Sequence, residues 1–218
     1  MGMEELFNGI MKDGQKILTQ NLVPGVSSYQ EELVSFAGKE YRVWNPYRSK
    51  PAAAIRKGLR SFPLKREMRV LYLGAANGHT ASFFSDILGS EGFIYAVEIS
   101  GRAMKDLLQT ARMRKNMAPM LANARTVPYT WIGPVDLVYQ DIASRDQAEI
   151  FIRNCRIFLP RGKAAAISIK SRSIDVTKMP QDVFKEELEK LSHEFKITES
   201  LELEPFEKDH LFVVGERR

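Results

Sequence analysis

With 218 residues and 44% hydrophobic content, the chain has enough material for one α/β domain with a small appendage, which excludes a disordered protein. A single cysteine, Cys155, excludes an internal disulfide and reads as a buried core thiol. No run approaches a membrane span, and the start Met1–Leu6 is acidic where a secretory signal is basic and fails the myristoylation pattern at Leu6. A cytoplasmic protein without membrane attachment is expected. The net charge of +5 is uneven, because nine basic residues and one acid between Arg42 and Arg69 give that window +8 and leave the remainder at −3. Such a block suits either a polyanion partner or a solvated face.

In chain order, Ser27–Tyr41 reads as small antiparallel strands, with Gly25 and Gly38 as turn points. Ser49 and Pro51 open a helix over Ala52–Leu59, which Phe62-Pro63 ends. Residues 1–50 are expected to form an N-terminal β module and 51–218 a larger α/β domain. Val70–Leu73, closed by Gly74, is a buried central strand, and His79–Leu88 a helix ended by Gly89. Phe93–Glu98 is a strand, Gly101–Met113 a helix, Pro119–Ala122 a short strand, Val135–Asp141 a strand and Asp146–Phe158 a helix. Ala164–Lys170 and Gln181–Phe195 continue the alternation as strand and helix. Lys196–Leu203 and Leu211–Val214 have no helix between them, so they form a hairpin with an antiparallel last strand. The expected fold is an open α/β sheet, mostly parallel, with an antiparallel strand at the C-terminal end.

Chemistry concentrates after the first central strand. Gly74-Ala75-Ala76-Asn77-Gly78 is a strand-to-helix glycine turn, where a ligand can approach backbone N–H groups; a ligand-free tight turn is the alternative. The dinucleotide fingerprint is missing, which disfavours a nicotinamide cofactor. Glu98, at the end of the next strand, can accept both hydroxyls of a ribose. Together they indicate an adenosine ligand without a pyrophosphate, a description that S-adenosylmethionine fits. Asp141 and Lys170 end neighbouring strands and project from the same sheet edge, so a carboxylate could orient a lysine able to take a hydroxyl proton. A helix cap and a solvated cation are the ordinary alternatives.

Four strings, Tyr41–Lys50, Val70–Ala76, Lys170–Thr177 and Leu203–His210, resemble fibrillarin in order from about Tyr41 to Val214, and the absence of a Gly/Arg-rich extension resembles its compact archaeal form. The resemblance implies a Rossmann-like class I methyltransferase with a seven-stranded sheet. It further implies a 2′-O-methyltransferase acting on ribosomal and transfer RNA with S-adenosylmethionine, directed by box C/D guide RNA. The implied partners are a Nop-domain scaffold protein and a kink-turn-binding protein of ribosomal type. Carried over, Lys50, Asp141, Lys170 and His210 are the catalytic set, with Lys170 activating the ribose hydroxyl. The carried-over cofactor contacts are Gly74, Ala75, Ala76, Gly78, His79, Thr80, Glu98, Ile99, Asn123, Ala124, Asp141, Ile142, Ala143 and Ser144. Three depart from the family pattern: His79 stands where a small hydroxyl residue is usual, Asn123 where Asp is, and Ser144 where Gln is. Arg42, Arg48, Arg56, Lys57, Arg60 and Arg172 are expected along the RNA path, and no metal is implied.

Overall fold

The structure is a computed structural model that describes residues 2–218, so Met1, the first residue of the expected β module, lies outside the described residues. Strands β1 (Glu4–Phe7), β2 (Ile10–Asp13), β3 (Lys16–Gln20), β4 (Leu33–Phe36) and β5 (Lys39–Val43) form an antiparallel sheet in the order β1-β2-β3-β5-β4. The last two fall within or against Ser27–Tyr41, and β1 to β3 fill the earlier part of the expected β module, where the sequence marks no individual strand. Each is only four or five residues long and mixes charged with apolar positions, so none shows a clean alternation.

Helix α1 (Lys50–Arg56) starts earlier than the expected Ala52, and its residues Pro51 to Ile55 are all buried. The main domain then alternates: β6 (Arg69–Leu73), α2 (His79–Leu88), β7 (Phe93–Glu98), α3 (Gly101–Arg112), β8 (Met117–Leu121), β9 (Leu137–Gln140), α4 (Gln147–Phe158) and β10 (Ala164–Lys170). Short α5 (Ser171–Ile174), then α6 (Pro180–Ser192), β11 (Phe195–Glu202) and β12 (His210–Arg217), complete it. The seven strands order as β11-β12-β10-β9-β6-β7-β8, with β12 antiparallel to both of its neighbours and the other pairs parallel. The expected mostly parallel sheet with an antiparallel last strand is what the chain forms. The register of β12 pairs His210 with Lys170, which brings two residues 40 positions apart in sequence to one sheet edge.

Both sheets share one core. Ile10, Ile17 and Trp44 from the N-terminal side pack with Phe83, Phe84 and Ile87 of α2, and Trp44 stacks on Phe83 with ring centroids 5.2 Å apart. Beside them is a buried polar cluster centred on Asp86. Its carboxylate accepts from Arg42 at 2.7 Å, Arg114 at 2.6 Å, the Thr19 hydroxyl at 2.8 Å and the Leu22 N–H at 3.1 Å. Arg42 also donates to Glu31 and to Ser82. It is 0% exposed, so its expected place on the RNA path is corrected: the residue ties the N-terminal sheet to α2. A guanidinium is tolerated there because carboxylates and hydroxyls satisfy its donors.

Candidate active site

The turn between β6 and α2 is built by close approach. Gly74 has φ +80°, and a Cβ there would lie 2.4 Å from the Asp141 carbonyl oxygen, so the end of β9 can come this near only to glycine. Gly78 has φ +91° and abuts Leu107 and Thr110 of α3. Glu98, at the carboxyl end of β7, holds the turn from the side. Its carboxylate accepts from the Ala76 N–H at 2.8 Å and from the Ser100 N–H at 2.7 Å. Tyr29, from the N-terminal module, donates its hydroxyl to the Asn77 carbonyl and meets the Thr110 hydroxyl at 2.9 Å.

Two cavities flank this turn and share Gly74, Ala76, Asp141, Ile142 and Ala143. One, of about 490 Å³, is lined further by Glu98, Ile99, Asn123, Ala124 and Ser144. Its apolar walls with a single buried carboxylate suit a nucleoside. Asn123 accepts the Arg125 N–H on its amide oxygen at 2.9 Å, which fixes the amide's orientation and leaves its NH₂ as the free donor. Ser144 is held by Asp146 and Arg125, at 2.5 and 3.1 Å, so a short hydroxyl residue has its own network there.

The second cavity, of about 330 Å³, collects Arg48, Ser49, Lys50, Tyr72, His79, Thr80, Asp141, Lys170, Glu207 and His210. All four residues of the expected catalytic set therefore line one cavity. Lys50 pairs with Asp141 at 3.0 Å. Burial works to lower the Lys50 pKa, but the Asp141 carboxylate outweighs it and holds the ammonium above its ordinary value. Lys50 is thus a fixed cation. Burial pulls the His210 imidazole below its ordinary value, and its Nδ1 lies 2.7 Å from the Lys208 carbonyl. Burial pushes the Tyr72 phenol well up, so it stays a neutral hydroxyl in the cavity wall. The Ser49 hydroxyl, at the start of α1, meets Thr80 of α2 at 2.9 Å and so links the helix carrying Lys50 to the glycine turn. His79 packs edge-on against Tyr29 and Phe83, with ring nitrogens that find no protein partner. Burial, reinforced by Arg48, pulls its pKa down to about 4.

The basic block disperses. Arg48 lines the second cavity and donates to the Tyr29 carbonyl at 3.3 Å. Arg56 is half-buried at the end of α1, and Lys57 lines a groove against α6 and β11. Arg60 lies 3.5 Å from Glu199 of β11. Arg172, on α5 just past Lys170, is exposed and bonds Asp209 at 3.3 Å. Arg69 opens β6 and so sits at the opposite edge of the sheet, bonded to Tyr95 and the Ile132 carbonyl. Sequence reasoning missed Tyr29, Tyr72 and Gln147. The Gln147 amide is buried and bonds the main chain of Lys170 and Ser144. No local pattern marks Tyr29 or Gln147, because each bonds a segment remote in sequence, and Tyr72 reads only as one position of a buried strand. Among the described residues no group of three or more His, Cys, Asp or Glu is arranged to hold a metal, and no helix is long and apolar enough to cross a membrane.

The fibrillarin family model matches residues 2–218. A fibrillarin-like rRNA/tRNA 2′-O-methyltransferase of Thermococcus onnurineus is 51% identical over 210 residues, covering 94% of this chain and 92% of that protein. Aeropyrum pernix fibrillarin, solved with natively bound S-adenosyl-L-methionine, superposes with a TM-score of 0.90 at 41% identity, covering 99% of this chain and 98% of that one. A fibrillarin solved in complex with Nop5p gives a TM-score of 0.91 at 40% identity, covering 99% of this chain and 100% of that one.

Proposed function

The chain belongs to the fibrillarin family, and on that premise we propose that it methylates ribose 2′-hydroxyls of ribosomal and transfer RNA with S-adenosylmethionine. The observation that carries this reading is the pair of cavities sharing the Gly74–Asp141 contact, one suited to a nucleoside and the other lined by Lys50, Asp141, Lys170 and His210. The residues present fit the cofactor: Glu98, already oriented by two N–H groups, has lone pairs left for ribose hydroxyls, and the glycine turn leaves room for a close ligand. Glu98, Ile99, Asn123, Ala124 and Ile142 to Ser144 would hold the adenosine part. Gly74 to Gly78, His79 and Thr80 would hold the methionine part.

When bound, the cofactor supplies an electrophilic methyl group on a sulfonium. Lys170, at the exposed end of β10, acts in its neutral amine form, whose lone pair accepts the proton leaving the ribose hydroxyl. Lys50, kept charged by Asp141, stabilises the oxygen as negative charge develops on it. His210, beside Lys170 in register, closes the polar wall. Exposed Arg48 and Arg172 flank the cavity and grip the RNA backbone. Arg56, Lys57 and Arg60 lie outside it, on α1 and just beyond, where they extend the basic surface. Target choice is delegated to a box C/D guide RNA, with a Nop-domain scaffold and a kink-turn-binding protein completing the particle.

The test is a methyl-transfer assay with guide RNA, target RNA and both partner proteins, beside calorimetry of the isolated chain with S-adenosylmethionine. Cofactor affinity in the micromolar range is expected. Lys170→Ala should lower transfer by at least ~100-fold with an unchanged thermal melt. Absence of cofactor binding, or full activity in Lys170→Ala, sinks the reading.

A further inference from the structure

The ladder between β9 and β10 ends at Gln140 and Ile167. Beyond it β9 turns away into Asp141–Ser144, so the main chain of Lys170 has no strand beside it on that flank. Buried backbone N–H and C=O groups need partners. The side chain of Gln147, the first residue of α4 and 0% exposed, supplies them. Its Oε1 accepts the Lys170 N–H at 2.9 Å, and its Nε2 donates to the Lys170 carbonyl at 3.0 Å. The same Nε2 donates to the Ser144 carbonyl at 2.8 Å. Gln147 is itself anchored, because its main-chain carbonyl accepts from the Gln140 side chain at 2.7 Å.

One primary amide therefore stands in for a strand. It fixes the end of β10, which carries Lys170, to the turn after β9, which carries Asp141 and lines both cavities. We propose that Gln147 is a positioning residue that sets Lys170 relative to the Asp141–Lys50 pair, an inference that rests on the methyl-transfer reading above. Only a group with a donor and an acceptor in one plane can serve both the N–H and the C=O of Lys170. A carboxylate would turn an acceptor toward two carbonyl oxygens. A protonated carboxyl restores one donor while keeping the acceptor. Burial and the two carbonyls favour its protonated form, so it should ionise above the usual carboxylate range.

The experiment measures single-turnover methyl transfer in the assembled particle at saturating cofactor, for wild type, Gln147→Glu and Gln147→Met, from mildly acidic to mildly alkaline pH. The rate of Gln147→Glu relative to wild type should fall as pH rises, reaching a deficit of ~100-fold. Gln147→Met should show a deficit that does not vary with pH. Saturating cofactor keeps any change in its affinity, caused by loosening the Asp141–Ser144 turn, out of the compared rates. A Gln147→Met rate within about twofold of wild type, or a Gln147→Glu ratio independent of pH, overturns the proposal. Should neither variant fold, hydrogen exchange on the wild-type chain decides. A strongly protected Lys170 amide supports the clamp, and one exchanging at an unprotected rate overturns it. A wild-type particle that transfers no methyl group fails the functional reading instead, and the exchange measurement then still reports on the clamp.

Discussion

Glu98 commits both carboxylate oxygens to backbone N–H groups, one in the glycine turn and one at the start of α3. Its removal would loosen the turn as well as delete the proposed ribose acceptor, so Glu98→Ala should weaken S-adenosylmethionine binding by roughly 10- to 100-fold. Calorimetry measures this, and an unchanged affinity would remove Glu98 from the site. His79 gives a pH signature. It stays neutral in the folded chain down to about 4 against an ordinary 6.5. Below 6.5 the unfolded chain binds a proton that the folded chain refuses. Stability is therefore full above that value and is lost as pH falls toward the folded pKa, by at most about 1.4 kcal/mol per pH unit. His210, shifted the same way, adds to the slope. His79→Phe keeps the ring packing against Tyr29 and Phe83, so melts taken down an acid series should show a shallower loss. An unchanged slope would assign the acid sensitivity elsewhere. At this scale Lys50, Lys170 and His210 are legible because each sits in a distinctive run, and Asp141 because it ends a strand beside Lys170. The pairing of Asp141 with Lys50 was invisible, since α1 and β9 meet only after folding. Arg42 was misplaced because charge counting does not distinguish a buried guanidinium from an exposed one.

The elements of the main domain were readable because their apolar periods are strong and their ends are marked by glycine or proline. Strand and helix bounds move by only a few residues between expectation and structure. The N-terminal strands resisted, as short two-faced segments carry little period to read. What the sequence lacked entirely was the joint between the two sheets. Asp86 of α2 binds two arginines from opposite sides, Arg42 of β5 and Arg114 just past α3, all nearly or fully buried. Removing the carboxylate leaves two desolvated cations facing each other. Asp86→Ala should cost about 3–5 kcal/mol, read as a lower urea midpoint. Arg42→Met, which removes a cation and keeps volume, should cost less. Equal stability of wild type and Asp86→Ala would show that the joint is idle.

Across the whole molecule, the core that runs from Ile10 and Trp44 into Phe83 and Phe84 makes the N-terminal sheet part of the folding unit. Calorimetric unfolding should show one transition with equal calorimetric and van't Hoff enthalpies, and two resolved transitions would separate the sheets. The hydroxyl of Tyr29 extends this continuity to the ligand, because a residue of the N-terminal module holds a carbonyl of the glycine turn. Thermodynamic reciprocity follows from that contact. A partner that shifts the segment around Tyr29 and thereby changes cofactor affinity must have its own affinity changed by the cofactor by the same factor. A partner on the outer sheet that moved Tyr29 would act as a dial on the methyl donor without ever meeting it.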